Sequence, residues 1–295
     1  MHWQTSRFRI ALSRPLVMGI VNVTPDSFSD GGQHASERAA CAHCEQLVAE
    51  GADILDIGGE STRPDATSPD LSEELRRVLP VLRHAVTLGL PISVDTSRPE
   101  VMGAALDLGV DIVNDVRALQ RPGAMAALAQ HPLAGACLMH LRGEPATMRA
   151  EAEIGYVDVV AEVGDFLAAR LRECLDAGVQ RERLVVDPGY GFAKNAGHNL
   201  TLLAGQLALQ ARLQVPLLAG LSRKTLVGQI TGRPVSGRLA GSLAAALAAA
   251  AQGAAILRVH DVAATVDALK VWEAVRLVRL ESWPDPFTAS APGHP

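Results

Sequence analysis

Aromatic side chains are scarce in this chain: Trp, Tyr and Phe together make up 3% of its 295 residues, although 48% are hydrophobic. A core with so few rings is built from Ala, Val, Leu and Ile, which suits helices packed closely over a buried sheet. No apolar stretch reaches the ~18 residues of a membrane-spanning helix. The opening Met1-His2-Trp3-Gln4-Thr5-Ser6-Arg7 lacks the apolar segment of a secretory signal. No membrane partner is therefore expected, and the expected compartment is the cytoplasm. Basic residues are not in excess either. The formal net charge is −5 and Lys and Arg are scattered, so the electrostatic footprint of a nucleic-acid binder is missing and no such partner is expected.

Four cysteines (Cys41, Cys44, Cys137, Cys174) are too few for a disulfide scaffold. Cys41 and Cys44 have CxxC spacing, but they fall in a helical pattern and lack the second pair that a structural zinc site needs. Cys137 reads as a small buried hydrophobe. A G-x-G-x-x-G after the first strand is also missing, which argues against a dinucleotide fold.

What recurs instead is a short apolar run followed by a helical pattern. Strand-like runs fall near 17–22, 53–58, 91–95, 111–114, 135–139, 183–187, 216–220 and 254–258. Helical patterns run from Glu37 to Glu50 and from Ser72 to Leu88, the latter with Leu75, Val78, Leu79 and Leu82 on one face. Others lie near 99–108, 122–130, 155–177, 198–213, 237–252 and 261–281, with Pro284 expected to stop the last. Such a βα alternation without a linker predicts an α/β fold, a single (β/α)8 TIM barrel over residues 1–282 with its active site at the C-terminal ends of the strands. A flexible tail, 283–295, follows.

Several of these runs stop at a polar residue that a packed core does not favour: Asn22, Asp95, Asn114, Asp187 and Arg258. In parallel sheets ligands bind at the strand carboxyl ends, so these positions are site candidates. Asp95, Asn114 and Asp187, joined by Lys224, supply two carboxylates, a carboxamide and an amine, which together suit a flat heterocycle bearing N–H donors and a carbonyl. The bland alternative for Asp95, which precedes Thr96 and Ser97, is a helix cap or surface ion pair. For His260, before Asp261, it is a residue preceding a cap. Arg258 is harder to explain structurally, because a buried arginine needs a partner.

Two strand-following loops are polar and glycine-rich. Asn22 to Gly32 is long for a βα connection and carries the apolar Phe28, as a lid does; ordinary turn chemistry is the alternative. Gly58 to Pro64 fits an oxyanion through its small residues, the Thr62 hydroxyl and the fork of Arg63. Arg258 and His260, two apart on one strand face, point the same way, and the combined set fits a diphosphate.

The stretches Asn22 to Gly32, Gly58 to Pro64, Met139 to Gly143, Asp187-Pro188-Gly189, Ser222-Arg223-Lys224 and Arg258-Val259-His260-Asp261, in this order and spacing, resemble dihydropteroate synthase over roughly residues 15–280. The resemblance implies a transferase of folate biosynthesis and sulfonamide target, which joins 6-hydroxymethyl-7,8-dihydropterin diphosphate to 4-aminobenzoate through a pterin carbocation and releases pyrophosphate. It implies catalytic roles for Asp95, Lys224, Arg258, Asp30 and Phe28. The pterin would lie against Asp95, Asn114, Met139, Asp187, Gly220, Lys224 and Arg258, and the diphosphate against Asn22, Thr62, Arg63, Arg258 and His260. Aminobenzoate would meet Phe28, Arg63, Pro64, Phe192, Ser222 and Lys224. Asn22 and Asp30 would bind Mg²⁺, and the chain would form a homodimer. Tyr190 and Ala193 depart from the family pattern, which often has another apolar residue and a glycine there. Two rivals make different use of the same acids. A corrinoid-dependent methyl transferase has no use for the anion loops, and an inactive pterin-binding paralogue would have lost lid or diphosphate residues.

Overall fold

A computed structural model describes residues 1–24, 33–61, 68–144 and 147–278, with the side chains of 33–35 and 149 excepted. A small antiparallel hairpin, β1 (His2–Gln4) and β2 (Arg9–Ala11), precedes the sheet. The parallel strands are β3 (Leu16–Asn22), β4 (Ile54–Gly58), β5 (Ile92–Asp95), β6 (Ile112–Asp115), β7 (Gly135–Met139), β8 (Leu184–Asp187), β9 (Leu218–Ala219) and β10 (Ile256–Val259). They run in the order β8-β7-β6-β5-β4-β3-β10-β9 as one 8-stranded sheet. A parallel bridge from Val186 to Leu217 and the Val186 N–H to Pro216 carbonyl bond of 3.1 Å bring the two edges together. The predicted α/β barrel is thus the observed fold.

Helices α1 (Gln33–Ala49), α2 (Leu71–Ala85), α3 (Pro99–Asp107), α4 (Ala124–Ala129), α5 (Met148–Ile154), α6 (Val159–Asp176), α7 (Ala196–Ala204), α8 (Gln206–Leu213), α9 (Thr225–Thr231), α10 (Leu239–Ala251) and α11 (Val262–Leu277) accompany the strands. Caps set several of their starts: the Asp70 carboxylate accepts from the Glu73 N–H, and Asp158 from those of Val160 and Ala161. The helix predicted over 198–213 is two, broken at Gly205, which caps α7 and opens α8. In α2, Val78 and Leu82 are buried as predicted, together with Val81 and the carboxylate of Glu74. Pro284 and the tail 283–295 lie outside the described residues. All four cysteines are free, and burial raises the Cys41 and Cys44 thiols, the latter to about 12, so this CxxC supplies no thiolate.

Alternation along each strand sends one residue set inward. The lower layer, Leu16, Met18, Ile54, Ile112, Cys137, Val185, Leu218 and Ile256, packs on Trp3 of the hairpin. Trp3 is fully buried, and its indole N–H donates to the Arg183 carbonyl at 2.9 Å. Gly135 permits this approach, since a Cβ there would lie 3.0 Å from the indole nitrogen. The hairpin thus plugs the barrel end opposite the polar strand termini. Trp3→Phe keeps the apolar burial but orphans the Arg183 carbonyl, and is expected to cost about 1–2 kcal/mol in chemical denaturation without loss of ligand binding.

Candidate active site

The same alternation places Asp56, Asp95, Asn114, Asp187 and Arg258 in the upper interior of the barrel. Register aligns Asp95 with Asn114, and Asn22 with Gly58. Above the apolar layer, one cavity is lined by Ile20, Asp95, Asn114, Val116, Met139, Asp187, Tyr190, Phe192, Gly220, Ser222, Lys224, Arg258 and His260. Every residue expected to hold the pterin is therefore in one place, and so are Phe192, Ser222 and His260. Asn22 ends β3 half-buried. Phe28, Asp30, Thr62, Arg63 and Pro64 lie outside the described residues.

Arg258 answers the question its burial raises. Its Nε donates to Asp56 Oδ2 at 2.6 Å, and its Nη2 to Asp95 Oδ2 at 2.6 Å. Burial works against the guanidinium charge, yet the two carboxylates raise its pKa. Asp95 does not cap a helix: the α3 cap position is Arg98, and it makes no side-chain cap bond. Burial instead pushes the Asp95 carboxyl up to about 7, Arg258 opposing and Asp56 adding to the shift.

Asp56 is the residue that sequence reasoning missed. Fully buried, it accepts from Arg258 and also from Asn114 Nδ2 at 3.0 Å, both on Oδ2. A carboxylate accepts only, so this contact fixes the Asn114 amide with its nitrogen on Asp56 and leaves Oδ1 as the group for a ligand donor. The signal was present: in Ile54-Leu55-Asp56-Ile57-Gly58, period two puts Asp56 on the face of Ile54 and Gly58.

Asp187 Oδ1 accepts the Gly189 N–H at 2.7 Å. Its Oδ2 lies beside Gly220, whose missing side chain keeps this wall open. Burial raises the Asp187 carboxyl and lowers Lys224 to about 8. Lys224 Nζ stands 4.0 Å from the centroid of the Phe192 ring, a cation–π contact. Phe192 also packs with Val116 and Met139, giving the mouth one apolar side.

His260 reaches Ser222 Oγ through Nδ1 at 3.1 Å, and Asp261 occupies the α11 cap position without a side-chain cap bond. Burial and Arg258 lower the imidazole to about 4, so it is neutral at pH 7. Arg223 points elsewhere, pairing with Asp261 at 3.0 Å, while its N–H donates to Ser242 Oγ at 2.9 Å. These contacts fasten the Ser222-to-Lys224 turn to α10 and α11.

The departures at 190 and 193 have local accounts. Tyr190 is buried, and its hydroxyl donates to Gln206 Oε1 at 2.8 Å; Gln206 in turn donates to the carbonyls of Ala249 and Gln252. Ala193 has φ +49°, the left-handed region that glycine enters more easily.

Such a cavity offers a flat ring a set of acceptors on one edge, cationic groups on another and an apolar wall. Comparison with known proteins agrees. A family model described as pterin binding enzyme matches residues 18–260. A dihydropteroate synthase of Neisseria meningitidis serogroup C is 51% identical over 276 residues, covering 92% of this chain and 97% of that protein. The Xanthomonas albilineans dihydropteroate synthase solved with 4-aminobenzoic acid has a TM-score of 0.86 and 53% identity, covering 92% of this chain and 96% of that one. The same enzyme in complex with 7,8-dihydropteroate has a TM-score of 0.86 and 49% identity, covering 95% and 100%.

Proposed function

The chain belongs to the pterin-binding enzyme family, and on that premise we propose that it is a transferase that condenses 6-hydroxymethyl-7,8-dihydropterin diphosphate with 4-aminobenzoate, forming 7,8-dihydropteroate and pyrophosphate. The observation that carries this reading is the convergence of Asp95, Asn114, Asp187, Lys224 and Arg258 on one cavity. Asp95 and Asp187 accept from pterin N–H groups, Asn114 Oδ1 accepts beside them, and Lys224 donates to the ring carbonyl. Met139 and Arg258 pack the two faces, and Gly220 admits the ring edge.

The C–O bond to the diphosphate breaks first and its electron pair leaves with pyrophosphate. The exocyclic CH₂ cation that remains is delocalised into the electron-rich pterin and offset by the buried carboxylates. The aminobenzoate nitrogen then attacks that carbon and releases a proton. Phe192, Ser222 and Lys224 form the described part of its pocket; Phe28, Arg63 and Pro64 are assigned there by resemblance, as Thr62 and Arg63 are to the diphosphate. Neutral His260 donates a hydrogen bond to the diphosphate, whose charge draws its pKa upward. The Asn22 carboxamide at the barrel mouth is a hard oxygen donor of the kind Mg²⁺ accepts alongside substrate phosphate oxygens, with Asp30 as the proposed second ligand. When bound, that ion neutralises charge on the leaving pyrophosphate.

Pyrophosphate release, followed with the pterin diphosphate, Mg²⁺ and 4-aminobenzoate, tests the assignment. Dihydropteroate is the expected product, and its absence would overturn the reading.

We also infer a homodimer. Exposed Ile230, Val235 and Leu239, and Val271 and Val275 on α11, are apolar side chains gathered on late elements. Light scattering is expected to give twice the chain mass; a single-chain mass at micromolar concentration refutes the dimer. Among the described residues no helix is long and apolar enough to cross a membrane, and a cytoplasmic location is the reading we propose.

A further inference from the structure

Behind the aromatic wall of the site lies a buried lysine that the reaction does not use. Lys194 is 6% exposed, and among the described residues no carboxylate hydrogen-bonds it. Its Nζ stands 2.9 Å from His140 Nδ1, 3.0 Å from the Gly189 carbonyl and 3.0 Å from the Phe192 carbonyl. An ammonium has three N–H groups and no acceptor, so each of the three is matched. Burial keeps the His140 imidazole far below its ordinary pKa, hence neutral; facing the protonated lysine, its Nδ1 is the acceptor, which puts the ring proton on Nε2.

Burial lowers the Lys194 ammonium to about 7, with Asp187 opposing the shift, and a polar group buried at that cost persists where its hydrogen bonds are specifically required. What Lys194 joins is the end of β7, at His140, to the loop that carries Phe192. That loop is an awkward one. Gly189 and Gly191 have φ of +69° and +80°, Ala193 has +49°, and a Cβ on Gly189 would fall 2.0 Å from the His140 carbonyl oxygen. Backbone held in this way needs surrounding contacts to determine it. Gly189 N–H to Asp187 Oδ1, 2.7 Å, Phe192 N–H to Gly189 carbonyl, 3.1 Å, and Gly191 N–H to Asn199 Oδ1, 2.7 Å, are three of them; the Lys194 fork adds bonds to the Gly189 and Phe192 carbonyls.

We propose that Lys194 is a positioning residue for substrate selection: through the Gly189 and Phe192 carbonyls it fixes the 189–193 loop so that the Phe192 ring stays on Lys224 and shapes the arylamine half of the site. The choice of arylamine as the affected substrate rests on the function proposed above; the placement of Phe192 by Lys194 does not. Methionine fills the volume but leaves the Phe192 carbonyl and a ring nitrogen unmatched and the Gly189 carbonyl with the Phe192 N–H alone, and glutamine brings only two N–H groups.

The test has two arms. In steady-state kinetics, Lys194→Met is expected to raise the KM for 4-aminobenzoate tenfold or more while the KM for the pterin diphosphate changes less than threefold. In a cycle with Phe192→Leu, the double variant should be no worse than the poorer single one, because both changes act through one ring. Equal losses on both substrates, or additive losses in the cycle, would overturn the proposal. The second arm needs no turnover: 4-fluorophenylalanine placed at 192 is expected to give one sharp ¹⁹F resonance in the parent chain, and a broadened or displaced one in Lys194→Met. An unchanged resonance would refute the positioning role even if the wild-type chain makes no dihydropteroate, a result that would refute only the assigned reaction. Should Lys194→Met fail to fold, Lys194→Gln carries both measurements, with a smaller shift in the same direction.

Discussion

Asp95→Asn is expected to lower kcat/KM for dihydropteroate formation by roughly 10²–10³-fold while leaving Tm at pH 8 unchanged or higher. Asp95 ends β5 against the cavity, with its side chain 12% exposed, and burial sets its carboxyl near 7 instead of 3.8. A folded-state pKa above the unfolded one means that this group's contribution to stability is present below the unfolded value and is lost as pH rises through about 7. Above that pH the ionised carboxylate costs the fold something, and asparagine removes the cost. Arg258 is not stranded by the change, since Asp56 still holds its Nε at 2.6 Å. The same groups set the pH profile. Activity needs Asp95 ionised to accept from the pterin and Lys224, near 8, protonated to donate. kcat/KM should therefore follow a narrow bell with its maximum between those values, and the acid limb should vanish in Asp95→Asn. A variant that loses several degrees of Tm at pH 8 in step with its activity would show that Asp95 is structural.

Why Asp95 was legible in the sequence and Asp56 was not has a physical answer. Both are acids in the barrel interior, but Asp95 closes its strand, where an apolar run visibly stops. Asp56 sits between Leu55 and Ile57, which face the helices, so the run continues past it. Its partners are 58 and 202 residues away, and such contacts leave no local trace. The barrel strands were legible because a parallel sheet covered on both faces is written as apolar runs. The hairpin at 2–11 and the short helices α5 and α9 span too few residues to show a period. Lys194 likewise carries no local sign of its burial, since its ring partner His140 is 54 residues away.

Removing Asp56 should then be the most damaging change in the site. Asp56→Ala takes the shared acceptor from Arg258 and Asn114 together, and breaking a buried pair on one side costs about 3–5 kcal/mol. Turnover should be lost as well, because the Asn114 amide becomes free to rotate. Asp56→Asn separates charge from shape: its oxygen can accept from both donors, while its nitrogen takes the place of Oδ1, a buried atom with no partner among the described residues. The charge matters because the cavity wall is otherwise balanced, Asp95 and Asp187 facing Lys224 and Arg258. Asp56 beneath them tips the strand ring negative, which favours a pterin cation over its neutral precursor. It also raises the Asp95 carboxyl, so Asp56→Asn is expected to move the acid limb of the kcat/KM profile to lower pH while kcat at the plateau falls. A limb that stays in place or moves to higher pH would mean that the two carboxylates do not share one field. Retention of full kcat would mean that the buried charge serves the fold alone.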